Sequence, residues 1–173
     1  MNIEIRNGRV IDPKNGVDRD MSLFIGEGRV TGLGQAPASF AAERTIDASG
    51  CIVCPGLIDL SARLNSIEAE LAAAVAGGVT SVVVPPDATP PLDEPELADR
   101  LIHRGKEIGM ARVLPLGALT VGLRGEHLSE LAGLKKAGCV AFSQAQVPLV
   151  DTEALLRALE YATTFGFAVW LQA

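Results

Sequence analysis

Residues 51–64 read CIVCPGLIDLSARL. The grammar of the chain changes at Pro55-Gly56. Residues 57–60 form a short apolar run of the kind that builds a strand, and Ser61 and Arg63 follow it two positions apart. Side chains two apart in a strand share a face. The spacing therefore predicts a hydroxyl and a guanidinium projecting together from the end of a hydrophobic strand.

Upstream, residues 1–54 read as a small all-β segment. IEIRNGRVID alternates around Asn7-Gly8, a hairpin signal. MSLFIGEGRVTGLG repeats the pattern around Gly26-Glu27-Gly28. The Gly26-x-Gly28 pair has no helix after it, so a turn is favoured over a phosphate loop. Downstream, residues 55–173 alternate β-branched runs with Ala- and Leu-rich helical patterns. Strands are predicted at Leu57–Leu60, Val79–Val84, Arg112–Gly117, Cys139–Phe142 and Ala168–Leu171. Helices are predicted at Ser66–Ala76, Glu94–Ile108, Glu126–Ala137 and Thr152–Phe165. Gly77-Gly78 and Gly138 stand where αβ loops take glycine. Asp151 is placed to cap the last helix, in which Leu155, Leu156, Leu159 and Ala162 form an apolar stripe.

Strands and helices in alternation with short loops argue parallel βαβ units. Five strands are too few for a closed (β/α)8 barrel. A doubly wound sheet could be complete at this length, but it normally ends in a helix over the last strand. The expectation is an α/β chain: a TIM-type barrel truncated after its fifth strand, behind an N-terminal β domain.

The chain has 173 residues, 48% of them hydrophobic, and a net charge of −6. That is a core-rich composition without the basic stripe of a nucleic-acid binder. Aromatics are 4%, which leaves few stacking platforms. No apolar run approaches the ~20 residues of a membrane span, and the charged N-terminus lacks a signal peptide's apolar core. A cytoplasmic location is expected. Cys51 and Cys54 form a CxxC, which can signal zinc or redox chemistry. In an extended segment they stand ~10 Å apart on opposite sides, too far for a disulfide. They read as small strand residues.

The order of motifs resembles the dihydroorotase branch of the amidohydrolase superfamily, and the match runs along essentially the whole chain. The residues that carry it are Pro55-Gly56, Asp59, Gly77-Gly78-Val79-Thr80, Pro86 to Pro90 and Gly138 to Ser143. Members of that branch have a strand of the form PGxIDxHxHxRE, then AGGxTTVVxMPNTxP, then GxxAF(S/T)DDG. The resemblance implies a barrel with its chemistry at the strand C-terminal ends. It implies two histidine zinc ligands at positions 61 and 63, where this chain has Ser61 and Arg63. Ser is a poor zinc ligand, and Arg is a permanent cation. It places a substrate-binding Arg at Asn65 and a substrate-binding Asn at Asp87. The acidic pair is replaced by Gln144-Ala145-Gln146, and the fifth strand's metal-binding His by Gln172. The two histidines, His103 and His127, fall in helical patterns away from strand ends.

By that resemblance no catalytic residue, metal ligand or cofactor site is expected, and Ser61, Arg63, Asp87 and Gln172 surround a vacant pocket. The expected role is that of a catalytically inactive homologue with a structural or assembly role in pyrimidine biosynthesis. Its expected partner is aspartate carbamoyltransferase, or a second copy of itself, with no nucleic acid and no membrane. The alternative is a divergent cyclic amidohydrolase using Asp59, Arg63 and Asp87. In that comparison Asp59 reads as a scaffold carboxylate beneath the site.

Overall fold

The structure, a computed structural model, describes residues 1–149 and 151–171. The chain divides into two compact units, Met1–Pro55 and Gly56–Ala173.

The first unit is a sheet of β1 (Ile3–Asp12), β2 (Val17–Gly26), β3 (Arg29–Leu33), β4 (Arg44–Asp47) and β5 (Ile52–Val53). Its order is β3-β2-β1-β4, with β5 pairing a further stretch of β1. The expected hairpin at Asn7-Gly8 does not form, because β1 runs through both residues as one strand. Asn7 takes a φ of 63°, and the β1–β2 register shifts between Ile5 and Gly8, the mark of a bulge. A Cβ on Gly8 would sit 2.7 Å from Val53 Cγ2 and 2.9 Å from the Ala48 Cβ. Glycine is required there by close approach, not by a turn. The reversal comes later, at the 3-10 turn Pro13–Asn15, where Asp12 accepts from Lys14 N and Asn15 N and Gly16 has φ 65°. The second hairpin falls where the sequence places it: Glu27 and Gly28 adopt φ of 53° and 73°, the left-handed pair of a tight β-turn.

The second unit holds β6 (Leu57–Asp59), α1 (Ile67–Ala76), β7 (Val79–Val84), α2 (Pro95–Ile108), β8 (Arg112–Ala118), α3 (Leu131–Ala137), β9 (Ala141–Ser143), α4 (Thr152–Phe165) and β10 (Val169–Trp170). The five strands pair in parallel and in sequence order, β6 to β10. A doubly wound sheet would reverse its order at a switch point. An unbroken order with a helix in every connection is the wall of a (β/α)8 barrel, present here as a curled half. The residues between wall and helices are apolar. Ala98, Leu119, Leu131, Leu134, Cys139, Phe142 and Ala158 form one buried cluster, and Leu71, Val82, Val84, Ala111 and Val113 another. Burying a side chain such as Leu71 or Phe142 contributes about 1.5–3 kcal/mol.

Two elements differ from the sequence reading. The third helix begins at Leu131 instead of Glu126, because the chain ahead of it is held as an antiparallel strap. Thr120 bridges Leu128, and Ser129 N donates to Leu119 O at 3.0 Å. In α4 the buried residues are Ala154, Ala158 and Ala162, while Leu156 and Leu159 of the expected stripe are exposed. Asp151 does cap α4, accepting from Glu153 N at 2.8 Å and Ala154 N at 3.3 Å.

Candidate functional site

In a parallel barrel wall, loops at the strand C-terminal ends converge on one mouth. Here that mouth is a cavity of about 180 Å³ lined by Ser61, Arg63, Leu116, Ser143, Gln146 and Trp170, among others. Ser61 and Arg63 follow β6, Ser143 ends β9, and Trp170 ends β10 opposite Ser143. The spacing in the sequence predicts Ser61 and Arg63 side by side, and both line the mouth. Strand alternation is not the reason. The strand ends at Asp59, which accepts from Ser61 N at 2.9 Å and bends the chain there. The backbone then rejoins β7 through Ala62 N donating to Val83 O at 2.9 Å. Asp59 is exposed on this outer strand, and its carboxylate fixes the local turn.

Arg63 and Asp87, read from the sequence as separate replacements, meet. The Arg63 Nη2 lies 2.7 Å and its Nε 3.2 Å from the same Asp87 oxygen, Oδ2. The Arg63 guanidinium is thus satisfied by the Asp87 carboxylate, one strand away. The pair is partly open to solvent, with side-chain exposures of 45% and 23%. Ion pairs at that exposure are worth roughly 0–1 kcal/mol, so the contact holds the mouth's charge balance more than its stability.

Gln144 stands apart from this mouth. It is 2% exposed, and its side chain turns into the loop network below. Thr120 Oγ1 donates to Gln144 Oε1 at 3.0 Å, Gly125 N donates to Thr120 Oγ1 at 2.9 Å, and Gln144 Nε2 donates to Leu123 O at 2.9 Å. Both halves of the amide are used. No motif marks Thr120, whose partners are brought in by the 3-10 turn Val121–Leu123. Ala145 adopts a φ of 51°, and its N donates to Ser143 Oγ at 3.0 Å, tightening the turn after β9. Gln146 is left exposed at the rim. Gln172 lies outside the described residues.

The donor set does not fit the zinc centre that the fold family implies. Positions 61 and 63 offer a hydroxyl and a cation, and an ion-paired guanidinium repels a metal. Among the described residues no group of three or more His, Cys, Asp or Glu could hold a metal ion. His103 lies on α2, 3.6 Å from Glu107, and His127 is exposed in the strap before α3. Cys51 and Cys54 are free and exposed on either side of β5. Cys139 is free and buried, and burial pushes its thiol up to about 12, where it is no nucleophile. Among the described residues no helix is long and apolar enough to cross a membrane.

Comparison with known proteins places these features. The model of the Dihydro-orotase-like family matches residues 50–168. A dihydroorotase-like protein of Pseudomonas putida is 45% identical over 98% of this chain and 42% of its own length. A dihydroorotase of Pelobacter propionicus is 44% identical over 94% of this chain and 40% of its own. This chain spans about two fifths of the length of these curated relatives. Among solved structures, the L-hydantoinase of Arthrobacter aurescens superposes with a TM-score of 0.81 at 18% identity, covering 99% of this chain and 40% of that one. At that identity the likeness is one of fold.

Proposed function

The chain belongs to the dihydro-orotase-like family, and on that premise we propose that it is a non-catalytic member with an assembly role in pyrimidine synthesis, supporting an aspartate carbamoyltransferase. The observation that carries the reading is the Arg63–Asp87 pair, 2.7 Å apart at the mouth. A binuclear amidohydrolase needs neutral imidazoles and carboxylates facing open metal positions. Here a permanent cation stands at one of those positions and consumes the nearest carboxylate. Ser61 supplies no thiolate or imidazole, and Gln144 is committed to the fold. A barrel wall keeps its packing when the residues at its mouth change, because fold and site are separable. That leaves the scaffold and its helix surfaces as what persists.

The test is co-expression with an aspartate carbamoyltransferase, followed by size-exclusion chromatography and elemental analysis. A stable complex that carries no zinc bound by this chain is the expected result. A chain that ignores the transcarbamoylase at micromolar concentration overturns the partner. Hydrolysis of dihydroorotate or a related cyclic amide, abolished by Asp87→Ala, would instead establish a divergent hydrolase.

A further inference from the structure

At the end of the sheet away from the mouth, β7 and β8 begin, at Val79 and Arg112, and α2 and α3 finish, at Ile108 and Ala137. A groove of about 920 Å³ opens among these four ends. Two glycines hold its base together. A Cβ on Gly105 would meet Val113 Cγ2 at 2.6 Å, and one on Gly138 would meet Ile102 Cδ1 at 2.7 Å. Helix α2 therefore lies tight against both β8 and the turn that ends α3. The floor of the groove is apolar, with Ile102, Met110, Val113 and Leu114, and Met110 is 49% exposed. Lys106 and Arg112 line it as exposed cations, against one lining carboxylate, Asp99. Lys136 stands in the last turn of α3, beside the lining Ala137 and Gly138. Lysines in a last turn offset the negative end of a helix dipole, but Arg112 belongs to no helix. Among the described residues Lys106, Arg112 and Lys136 make no ion pair. On a chain of net charge −6, this groove is a local reversal of sign.

We propose that this groove docks an acidic segment of a partner protein, with its carboxylates on Lys106, Arg112 and Lys136 and its apolar side chains on Met110 and Ile102. Charge complementarity selects the sign of the occupant, and the floor selects its class. A small inorganic anion would leave the apolar floor in water, whereas apolar side chains of a peptide remove it from water. Single-stranded nucleic acid binds through aromatic platforms, and among the described residues no aromatic lines the groove. A duplex is held by a longer run of cations than this. The groove lies at the opposite end of the strands from Arg63 and Asp87, so its partner does not depend on the assembly role proposed above.

The probe is a short labelled peptide of glutamates with leucines at helical spacing, titrated by fluorescence anisotropy against the whole chain at low salt. Saturable binding is expected, with weakening as salt is raised, and none by the matching peptide of lysines and leucines. Lys106→Glu with Arg112→Glu should weaken binding by about tenfold or more. Arg19→Glu with Arg29→Glu makes the same change of charge in the first unit and should leave binding unchanged. Met110→Ser keeps the charge and should weaken it by about threefold. Circular dichroism checks that each variant folds, and Lys106→Gln with Arg112→Gln replaces the reversal if that variant does not. A folded parent chain that ignores the glutamate peptide would overturn the proposal. Equal weakening by the two arginine changes in the first unit would overturn the site, since the attraction would be general. Displacement of the peptide by inorganic phosphate, with no effect of Met110→Ser, would overturn the occupant in favour of a small anion. Tighter binding of a labelled oligonucleotide would overturn it in favour of nucleic acid. A homodimer of the parent chain that Lys106→Glu with Arg112→Glu breaks would overturn it in favour of a second copy.

Discussion

Gln144 shows how a change of one functional group becomes a commitment of the fold. Its oxygen accepts from Thr120 Oγ1 and its nitrogen donates to Leu123 O. A carboxylate at this position could keep the first bond and would lose the second, because it has no proton to give. The Leu123 carbonyl would then face a buried negative charge. Unmatched buried polar groups cost roughly 1–3 kcal/mol, and more when charged. Gln144→Glu, which restores the acidic character that the family resemblance places here, is therefore expected to destabilise the chain by about 3 kcal/mol. A urea titration checks this. A variant as stable as the parent would mean that the amide network contributes nothing. The adjacent turn was not legible from Gln144 itself. Thr120 precedes it by 24 residues, and the two meet only because β8 and β9 are neighbours in the sheet. The Arg63–Asp87 pair escaped the sequence for the same reason. Both residues were conspicuous, but their contact depends on the adjacency of β6 and β7.

At the scale of elements, type was legible and facing was not. The five strands and four helices of the barrel wall follow from β-branched runs, Ala- and Leu-rich stretches and glycine punctuation. Asn7-Gly8 misled because the same left-handed conformation that closes a hairpin also makes a bulge. Only the packing of Val53 and Ala48 against Gly8 decides between the two. α4 misled in a different way. Its Leu and Ala residues both recur at helical spacing, and hydrophobicity alone favours burying the larger set. The core cluster around Phe142 and Leu134 admits Ala158 instead. That assignment predicts an inverted ranking. Ala158→Leu should cost about 1–3 kcal/mol through overpacking, while Leu156→Ala, at an exposed position, should stay within about 0.5 kcal/mol. Chemical denaturation of the two variants gives the order directly. If Leu156→Ala is the more damaging, the helix packs by its leucine face.

At the scale of the whole molecule, the first unit ties charge into its fold. In Met1–Pro55 three carboxylates are tied into the backbone turns and the β1–β2 ladder. Asp12 is held below its ordinary value by the side-chain amide of Asn15 and by the backbone N–H groups of Asn15 and Lys14. Asp18 is held down by its hydrogen bonds to the Arg9 guanidinium, which lies at 2.6 and 2.8 Å. Asp47 is held down by the Ser49 hydroxyl and the Asn7 amide. A carboxylate whose folded pKa is depressed binds fewer protons folded than unfolded, so its contribution is present above the unfolded value and lost as pH falls through the folded one. With an ordinary value of 3.8 for all three, this unit should hold its stability from neutrality down to about pH 5 and weaken below about pH 4. Ile3, Ile5, Ile11 and Ile25 lie on β1 and β2 and serve as methyl reporters of that sheet in an NMR-detected urea titration. Their midpoint should be flat above pH 5 and fall as the solution is acidified further. Asp18→Asn together with Asp47→Asn should lower the neutral-pH midpoint and flatten the acid limb, because the protons that drive the loss no longer have these sites to occupy. An acid limb unchanged in the double variant would show that other groups control the unit's acid sensitivity.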